Sequence, residues 1–327
     1  PGVNRDDNTD DFVLQLVEGL VGYTEGGTVA PLLAQKVDVS PDGKTYTFTL
    51  RKGVKFHTTK FFTPTRDFNA DDVVFTLDRM FNTQNAFRKA NPAEFPYAVD
   101  TGMAENVAKV EKVVDYTVKM TMKKPDPDVI IKIAMPSFSI LSAEYAEKLS
   151  KEGKANMLNQ EPVGTGPFVF ERYQKDAQIR YSANKQYWKA GQPKVDNLVF
   201  AITTDAAVRF QKMKAGECHI MSFPKPNDLA AMRSDPALKM MQAPGFNVGY
   251  LNYNTEKGEL KKREVRQALD MAINRKAIID AVYQGEAQEA INPMPPSLWS
   301  YNATTKNAPY DVEKAKELLK KAGVPNG

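Results

Sequence analysis

The chain has 327 residues, of which 42% are hydrophobic and 26% are charged, and its formal net charge is +4. This length is sufficient for two domains with a substantial core. The small charge, with acidic and basic residues interspersed, does not indicate a nucleic-acid or membrane-surface partner, and no apolar run approaches the roughly 18 residues of a membrane span. The chain starts without Met, and little sequence follows an amphipathic helix pattern at 311–322 for its apolar stripe to pack on. We therefore expect both termini to be cut from a longer protein.

The first half of the chain is predicted to be rich in hairpins. A helix capped by Asp10 or Asp11 precedes them. Residues 34–53 contain two strand-like runs with alternating apolar side chains, joined by the turn sequence Pro-Asp-Gly-Lys, and residues 106–124 show the same alternation around a bend. Both patterns predict antiparallel hairpins. The segment 82–103, rich in Asn, Pro and aromatic residues, is predicted to be a long loop.

Two helix starts and one glycine-rich segment follow from local composition. Asn69 and Ser142 are predicted helix caps. Asp71 and Asp72 in the first turn after Asn69 could form an acid pair or metal site, but favourable interaction with the helix dipole explains them without a ligand. Residues 161–168, EPVGTGPF, lack the Lys-Ser/Thr of a phosphate-binding loop and precede a strand pattern. We interpret them as a tight crossing of two backbone segments.

From residue 168 onward the pattern alternates between strands and helices, and it becomes mainly helical from residue 261. Helices are predicted after the caps Asp205, Asn227 and Asn274, and at 265–273 and 311–322. Strands are predicted at 168–173, 178–183, 197–203 and 218–221, after 238–241, and as a long central strand at 245–254.

No catalytic or metal-binding constellation is evident, and no cofactor is expected. His57 and His219 are not at metal-ligand spacing, and the common hydrolase, metalloprotease and dinucleotide motifs are missing. This favours a binding protein over an enzyme. An active site assembled from residues that are distant in sequence remains an alternative. Cys218 is a buried free thiol, half of a disulfide, or a nucleophile. A nucleophilic thiol needs a nearby base, and His219, as the next residue of a strand, would point to the opposite face.

Five blocks of sequence resemble, in the family's order, the bacterial family 5 solute-binding proteins, which are receptors of ABC importers. The blocks are 34–57 (AQKVDVSPDGKTYTFTLRKGVKFH), 68–80 (FNADDVVFTLDRM), 162–168 (PVGTGPF), 187–221 and 244–285. Two stretches, PTRDFNADDVVF and SFPKPNDL, are most similar to the dipeptide-binding branch, which includes haem- and glutathione-binding relatives. The resemblance covers essentially the whole chain.

The resemblance implies an α/β fold of the periplasmic binding protein type II class (cluster C), with an extra β-rich domain. Residues 1–17 and 167–244 would form the first lobe, and residues 18–166 the extra domain. A hinge strand at 245–254 would lead to the start of the second lobe at 255–327, which we expect to be truncated. Ligand binding would then accompany a hinge closure of the two lobes.

The implied function is that of a monomeric, periplasmic or lipid-anchored receptor that captures short peptides and delivers them to an ABC permease in the inner membrane, without enzymatic activity and without nucleic acid. Haem or glutathione is the alternative ligand on the same scaffold. A chaperone-like interaction protein or an enzyme is the alternative from another class.

The resemblance also suggests ligand-facing residues, with ordinary loop or strand packing as the alternative for each. Arg5 and Asp6 could satisfy the opposite charges of a zwitterionic peptide. The candidates are Asn4, Arg5, Asp6, Met221, Ser222, Gly245, Phe246 and Asn247. Cys218 matches a position that, in dipeptide-binding relatives, pairs with a cysteine from a strand preceding Pro1. The resemblance therefore favours one half of a disulfide for Cys218, in an oxidising compartment.

Overall fold

The chain divides into two compact units, Pro1–Ile202 and Thr203–Gly327. The structure, a computed structural model, describes residues 2–3, 7–24, 27–243, 245–298 and 300–325, without the side chains of residues 7 and 8. The first unit contains a large continuous core cluster. A much smaller cluster in the second unit is built on Phe210, Leu229 and Met232.

The strands in the described part of the chain form three antiparallel sheets, with strand orders β1-β2, β3-β4-β6-β5 and β7-β8-β9. Their bounds are β1 (Val21–Tyr23), β2 (Val29–Pro31), β3 (Ala34–Val39), β4 (Thr45–Leu50), β5 (Val107–Val114), β6 (Thr117–Met122), β7 (Phe168–Gln174), β8 (Gln178–Ala183) and β9 (Asn197–Ala201).

The α-helices surround these sheets in the first unit and dominate the second. Those of the first unit are α1 (Asp7–Val13), α2 (Ala70–Phe81), α3 (Ala86–Ala90), α4 (Pro96–Asp100), α5 (Met103–Asn106), α6 (Val129–Ile133) and α7 (Ala143–Lys151). Those of the second unit are α8 (Ala206–Lys214), α9 (Leu229–Ser234), α10 (Arg263–Met271), α11 (Arg275–Tyr283) and α12 (Val312–Lys321).

The four-stranded sheet confirms both predicted hairpins, which are β3–β4 and β5–β6. In the first turn Gly43 has φ +67°, and Asp42 Oδ1 accepts from the backbone N–H of Lys44 at 3.1 Å. Alternate residues of β4 and β6 are buried, because successive side chains of a strand point to opposite faces. Phe48 lies opposite Val118 across the pair, so one face of this sheet supplies much of the first core.

Helix α2 confirms the predicted cap at Asn69, which forms a capping box with Asp72. Asp72 is fully buried and binds Arg66 through two hydrogen bonds of 2.7 and 2.9 Å. It also accepts from the backbone N–H groups of Asn69 and Ala143, while Asp71 pairs with Lys112 at 3.1 Å. Asp71 and Asp72 thus stabilise the start of the helix and form ion pairs. The buried carboxylate, Asp72, is satisfied by four hydrogen-bond donors.

The predicted tight crossing at 161–168 is confirmed. A Cβ placed on Gly164 would lie 2.0 Å from the carbonyl oxygen of Leu16, and one on Gly166 would lie 2.7 Å from the carbonyl carbon of Leu16. The backbone N–H of Gly166 donates to Leu16 O at 2.9 Å. His57, buried beside the crossing, hydrogen-bonds through Nε2 to Gly166 O at 2.9 Å. Only glycine permits so close an approach of two backbones.

Two predictions for the first unit were wrong in detail. Helix α1 begins at Asp7, so Asp10 and Asp11 lie inside the helix rather than capping it. Helix α1 ends at Val13 because the residues after it form hydrogen bonds with the crossing segment. For example, the backbone N–H of Phe168 donates to Gln15 O at 3.0 Å. The segment 82–103 is not a continuous loop, since it contains α3 and α4, which are too short to show a helical period.

The predicted strands at 218–221, after 238–241 and at 245–254 are absent in the described residues of these segments. A strand needs a neighbour for its backbone hydrogen bonds, and no described segment forms a ladder with them. Asn227 does not cap α9, because this helix begins at Leu229 after a short 3-10 turn, Pro226–Asp228. Local strand propensity was therefore overridden by the lack of a partner.

The predicted helices of the C-terminal part are confirmed. Asn274 caps α11 through its side chain, and Asp311 caps α12. Helix α12 packs against α10, with Ala268 and Ala315 buried, and the backbone N–H of Asp311 donates to Met271 O at 2.9 Å. The apolar stripe of α12 therefore has a partner within the chain, contrary to our expectation.

Candidate functional site

The sequence-predicted ligand-facing residues fall into three groups. Asn4, Arg5 and Asp6 lie outside the described residues. Met221 and Ser222 belong to a loop of the second unit, and Gly245, Phe246 and Asn247 belong to an extended segment of the same unit.

The loop that contains Met221 and Ser222 is held on the start of α8. Asp205 caps this helix by accepting from Val208 N–H at 2.9 Å and forms an ion pair with Lys225 at 3.7 Å. Arg209, one turn into α8, donates to the carbonyls of Thr203 at 2.8 Å, Thr204 at 2.9 Å and Phe223 at 3.1 Å. The guanidinium thus links this loop to the segment that precedes α8, because its forked donors reach several carbonyls at once.

Within this loop the side chains take different directions. Met221 is half-buried and packs against the small cluster of the second unit, so it contributes to packing there. Ser222 is exposed. Phe223, which sequence reasoning did not select, is 78% exposed and has φ +53°. Phe223 stands out as a candidate only because a bulky residue has a left-handed backbone there. That conformation has no signal in the sequence.

Gly245, Phe246 and Asn247 are exposed side by side. Phe246 is 66% exposed, and a Cβ placed on Gly245 would meet only the backbone nitrogen of Asn247, at 3.9 Å. Cys218 is half-buried and unpaired, as it must be in a chain with one cysteine, and the neighbouring His219 is exposed.

A buried polar cluster in the first unit was missed by sequence reasoning. The Glu18 carboxylate accepts hydrogen bonds from Thr165 Oγ1 at 2.9 Å, Tyr187 OH at 2.7 Å and Trp188 Nε1 at 3.0 Å. Burial raises the pKa of Glu18, and the bonds from Trp188, Tyr187 and Thr165 lower it in part. Arg51 stacks on Trp188 with its guanidinium carbon 4.1 Å from the ring centroid. A single Glu inside the apolar run of residues 16–21 was the available signal.

This cluster holds structural segments together. Glu18 has three donors for its two oxygens, so a buried carboxylate is satisfied without a ligand. Two hollows on the surface of the first unit lie elsewhere, near Phe61 and Lys148, with volumes of about 340 and 690 Å³. Of the predicted ligand-facing residues that the structure describes, neither the pair Met221 and Ser222 nor the group Gly245, Phe246 and Asn247 lines either hollow.

The described residues contain no group of three or more His, Cys, Asp or Glu that could hold a metal ion. Nor does any helix among them combine the length and the apolar character needed to cross a bilayer. The local chemistry that remains is an exposed aromatic and amide surface on the second unit, which suits contact with a small amphiphilic ligand.

Comparison with curated proteins shows close relatives. The chain is 59% identical over 309 residues to di/tripeptide-binding protein 1 of Pseudomonas aeruginosa (strain UCBPP-PA14), an alignment that covers 94% of the chain and 58% of that protein. It is 47% identical over 314 residues to heme-binding protein A of Haemophilus influenzae, covering 96% of the chain and 57% of that protein. The chain therefore spans less than two thirds of the length of these relatives.

Comparison with solved structures gives the same fold. The dipeptide-binding protein of Pseudoalteromonas sp. SM9913, in complex with Met-Leu, has a TM-score of 0.93 at 35% sequence identity, covering 100% of the chain and 65% of that protein. The predicted α/β fold of the periplasmic binding proteins is thereby confirmed. Residues 28–327 match the family model of bacterial extracellular solute-binding proteins, family 5 (Middle). The chain belongs to family 5 of the bacterial extracellular solute-binding proteins.

Proposed function

We propose that the full-length protein is the substrate-binding component of an ABC importer, capturing di- and tripeptides and delivering them to a membrane permease. The observation that carries this proposal is the 59% identity, over 94% of the chain, to a di/tripeptide-binding protein. The likeness to a structure with bound Met-Leu supports the same ligand class.

The proposed mode of action is binding without turnover. The relatives are binding proteins, and a binding protein releases its ligand chemically unchanged. We place the protein outside the cytoplasm, in the periplasm or on a lipid anchor, as a monomer. In such a compartment Cys218 would form a disulfide with a cysteine outside this chain.

The lobe assignment implied by the family resemblance belongs to the same proposal. Residues 1–17 and 167–244 would form the first lobe, residues 18–166 the extra domain, and residues 255–327 the start of the second lobe. Residues 245–254 would connect the lobes, and the peptide would bind where Asn4, Arg5, Asp6, Met221, Ser222, Gly245, Phe246 and Asn247 face it. Ligand would favour the closed arrangement in proportion to its preference for that state.

A second candidate ligand is haem, because the chain is 47% identical to a haem-binding protein over 96% of its length. The sequence blocks quoted above are shared by both branches, so they do not separate peptide from haem. Glutathione, which is itself a tripeptide, belongs in the same comparison.

The test is thermal unfolding of the full-length protein with a panel of di- and tripeptides, glutathione and haem. A ligand that binds only the folded state stabilises it, by about 2.7 kcal/mol at one hundred times its dissociation constant. We expect an upward shift of Tm with dipeptides or tripeptides. A shift with haem alone would transfer the proposal to the second candidate, and no shift with any of them would refute both.

A further inference from the structure

Phe223 presents an aromatic ring to solvent from a strained backbone. Its side chain is 78% exposed, and its φ of +53° lies in the left-handed region. For a bulky residue this conformation is a genuine outlier. Phe223 also precedes Pro224, and a residue before proline prefers extended backbone. Two local preferences of the sequence are therefore violated at one residue.

Other described non-glycine residues with positive φ have ordinary local reasons. Asp176, at φ +58°, lies in the turn between β7 and β8, and Gln284, at φ +52°, is the left-handed C-cap of α11. Turns and helix C-caps use this conformation routinely. Phe223 lies neither in a hairpin turn nor at a helix end, so no such motif accounts for its strain.

Two side-chain contacts tie the loop around Phe223 to the start of α8. Arg209 Nη2 donates to Phe223 O at 3.1 Å, while Nη1 of the same guanidinium donates to Thr203 O and Thr204 O. On the other side, Lys225 pairs with Asp205 at 3.7 Å. The carbonyl of Phe223 is thus held by a charged donor, although the ring gains little burial from this bond. Backbone strain that the surroundings enforce is concentrated at ligand-binding and active sites.

A rigidly mounted aromatic ring is well suited to binding. It offers a large apolar face, and little conformational entropy is lost when a ligand covers it, because an aromatic side chain has only two rotatable bonds. The neighbouring Ser222 is exposed and supplies a hydroxyl, which is the combination of apolar and polar groups expected of a small-ligand site.

We propose that Phe223 is a specificity-determining residue, which contacts an apolar or aromatic side chain of the bound peptide. This inference rests on the proposed peptide-binding function and names the part of the peptide that is read. The ring favours peptides with apolar or aromatic side chains, so it discriminates among peptides that share the same backbone and termini.

The experiment compares Phe223→Gly with Asp176→Gly and Gln284→Gly in the full-length protein. Glycine accepts φ > 0 without strain, so each substitution relieves the same kind of backbone conformation. We expect none of the three variants to have a Tm more than 2 °C below the parent. Isothermal titration with Ala-Phe, Ala-Leu and Gly-Gly then measures binding. We expect the dissociation constant of Phe223→Gly to rise at least fivefold for Ala-Phe and Ala-Leu and less than twofold for Gly-Gly, with both controls unchanged.

Phe223→Tyr keeps the ring and should bind all three peptides within twofold of the parent. If the parent binds Ala-Phe and Phe223→Gly binds it equally well, this inference fails while the proposed function stands. A uniform loss across the three peptides would also overturn it, because the ring would then not read the side chain. If the parent binds no peptide at all, the proposed function and this inference fall together.

Discussion

At the scale of single residues, His57 shows how burial sets the charge of a side chain. Its ring lies beside the crossing of residues 164–166, with Nε2 hydrogen-bonded to Gly166 O at 2.9 Å, and its backbone N–H donates to Gly164 O at 2.8 Å. Burial lowers the pKa of His57 to about 4, and the bond to Gly166 offsets this only in part. The ring is therefore neutral when the protein is folded at neutral pH.

This pKa predicts a loss of stability on acidification. Between pH 6.5 and about 4 the unfolded chain binds a proton at His57 that the folded chain does not, so the free energy of unfolding falls as the pH falls. The loss reaches about 2–3 kcal/mol at pH 4.5. Urea unfolding at pH 7, 5.5 and 4.5 measures it against His57→Gln, which should be less stable at pH 7 but less sensitive to acid.

Equal pH dependence in the two proteins would contradict the assigned role of His57. The comparison with the variant is needed because Glu18 titrates in the opposite sense. The pKa of Glu18 is raised by burial, so its ionisation in the folded protein costs free energy as the pH rises, and acidification recovers that cost. This contribution is the same in the parent and in His57→Gln and cancels in their difference.

At the scale of elements, the crossing of residues 164–166 over Leu16 joins parts of the chain that are distant in sequence. Gly166 N–H donates to Leu16 O, and Phe168 N–H to Gln15 O. Glu18 adds the side-chain bonds to Thr165, Tyr187 and Trp188 next to this point. The crossing positions β7, which begins at Phe168 and leads into the three-stranded sheet.

Replacing Gly164 by Ala should disrupt the crossing. The new Cβ would lie 2.0 Å from Leu16 O, which forces the two backbones apart and costs about 3 kcal/mol, at the upper end of overpacking effects. Gly249→Ala is the matched control, because a Cβ there would meet nothing within 4 Å, and it should change the free energy of unfolding by less than about 0.5 kcal/mol. Denaturant unfolding of the two variants measures both values. A neutral Gly164→Ala would show that the two segments are farther apart.

At the scale of the whole molecule, the two compact units differ in how their apolar residues are used. The first unit buries a continuous core beneath its sheets and α2. In the second unit, large apolar side chains of the strand-like segments remain exposed, as with Ile220 at 85%, Tyr250 at 78% and Leu251 at 64%. Exposed apolar side chains close together in sequence mark a candidate binding surface.

Hydrogen exchange tests this difference between the units. Backbone N–H groups outside any ladder or helix exchange rapidly, whereas those of a central strand are protected. In the chain 1–327 we expect the amides of residues 245–254 to exchange within seconds and those of β4 to remain protected for hours. Mass spectrometry after pulsed labelling resolves the two segments. Protection of 245–254 comparable to that of β4 would mean that this segment does form the strand predicted from its sequence.

Many elements of both units were predictable because their determinants are local. A turn sequence between alternating runs defines each hairpin, and a capping side chain defines the start of α2, α7, α8, α11 or α12. The short helices α3 and α4 were missed, because five residues do not complete two helical turns. The strand at 245–254 was wrongly predicted, since a strand requires a neighbour that the local sequence cannot reveal.

The candidate site was predictable to a smaller extent. Ser222, Gly245, Phe246 and Asn247 were selected by resemblance, and the structure places them at the surface of the second unit. Phe223, next to Ser222, was not selected, because a left-handed backbone at a bulky residue before proline runs against both local preferences. Backbone conformation imposed by a tertiary contact leaves no trace in composition or spacing.

The sequence by itself determined the family, the two hairpins of the four-stranded sheet and the need for glycine at residues 164–166, because turn chemistry, alternation and ordered motifs are properties of neighbouring residues. Only the tertiary structure decided which backbone segment these glycines pack against, which donors satisfy Glu18, and that the Phe223 side chain is exposed to solvent. Glu18 meets its partners across about 150 residues or more of sequence. Such contacts form only when the folded chain brings distant segments together, so no local pattern can encode them.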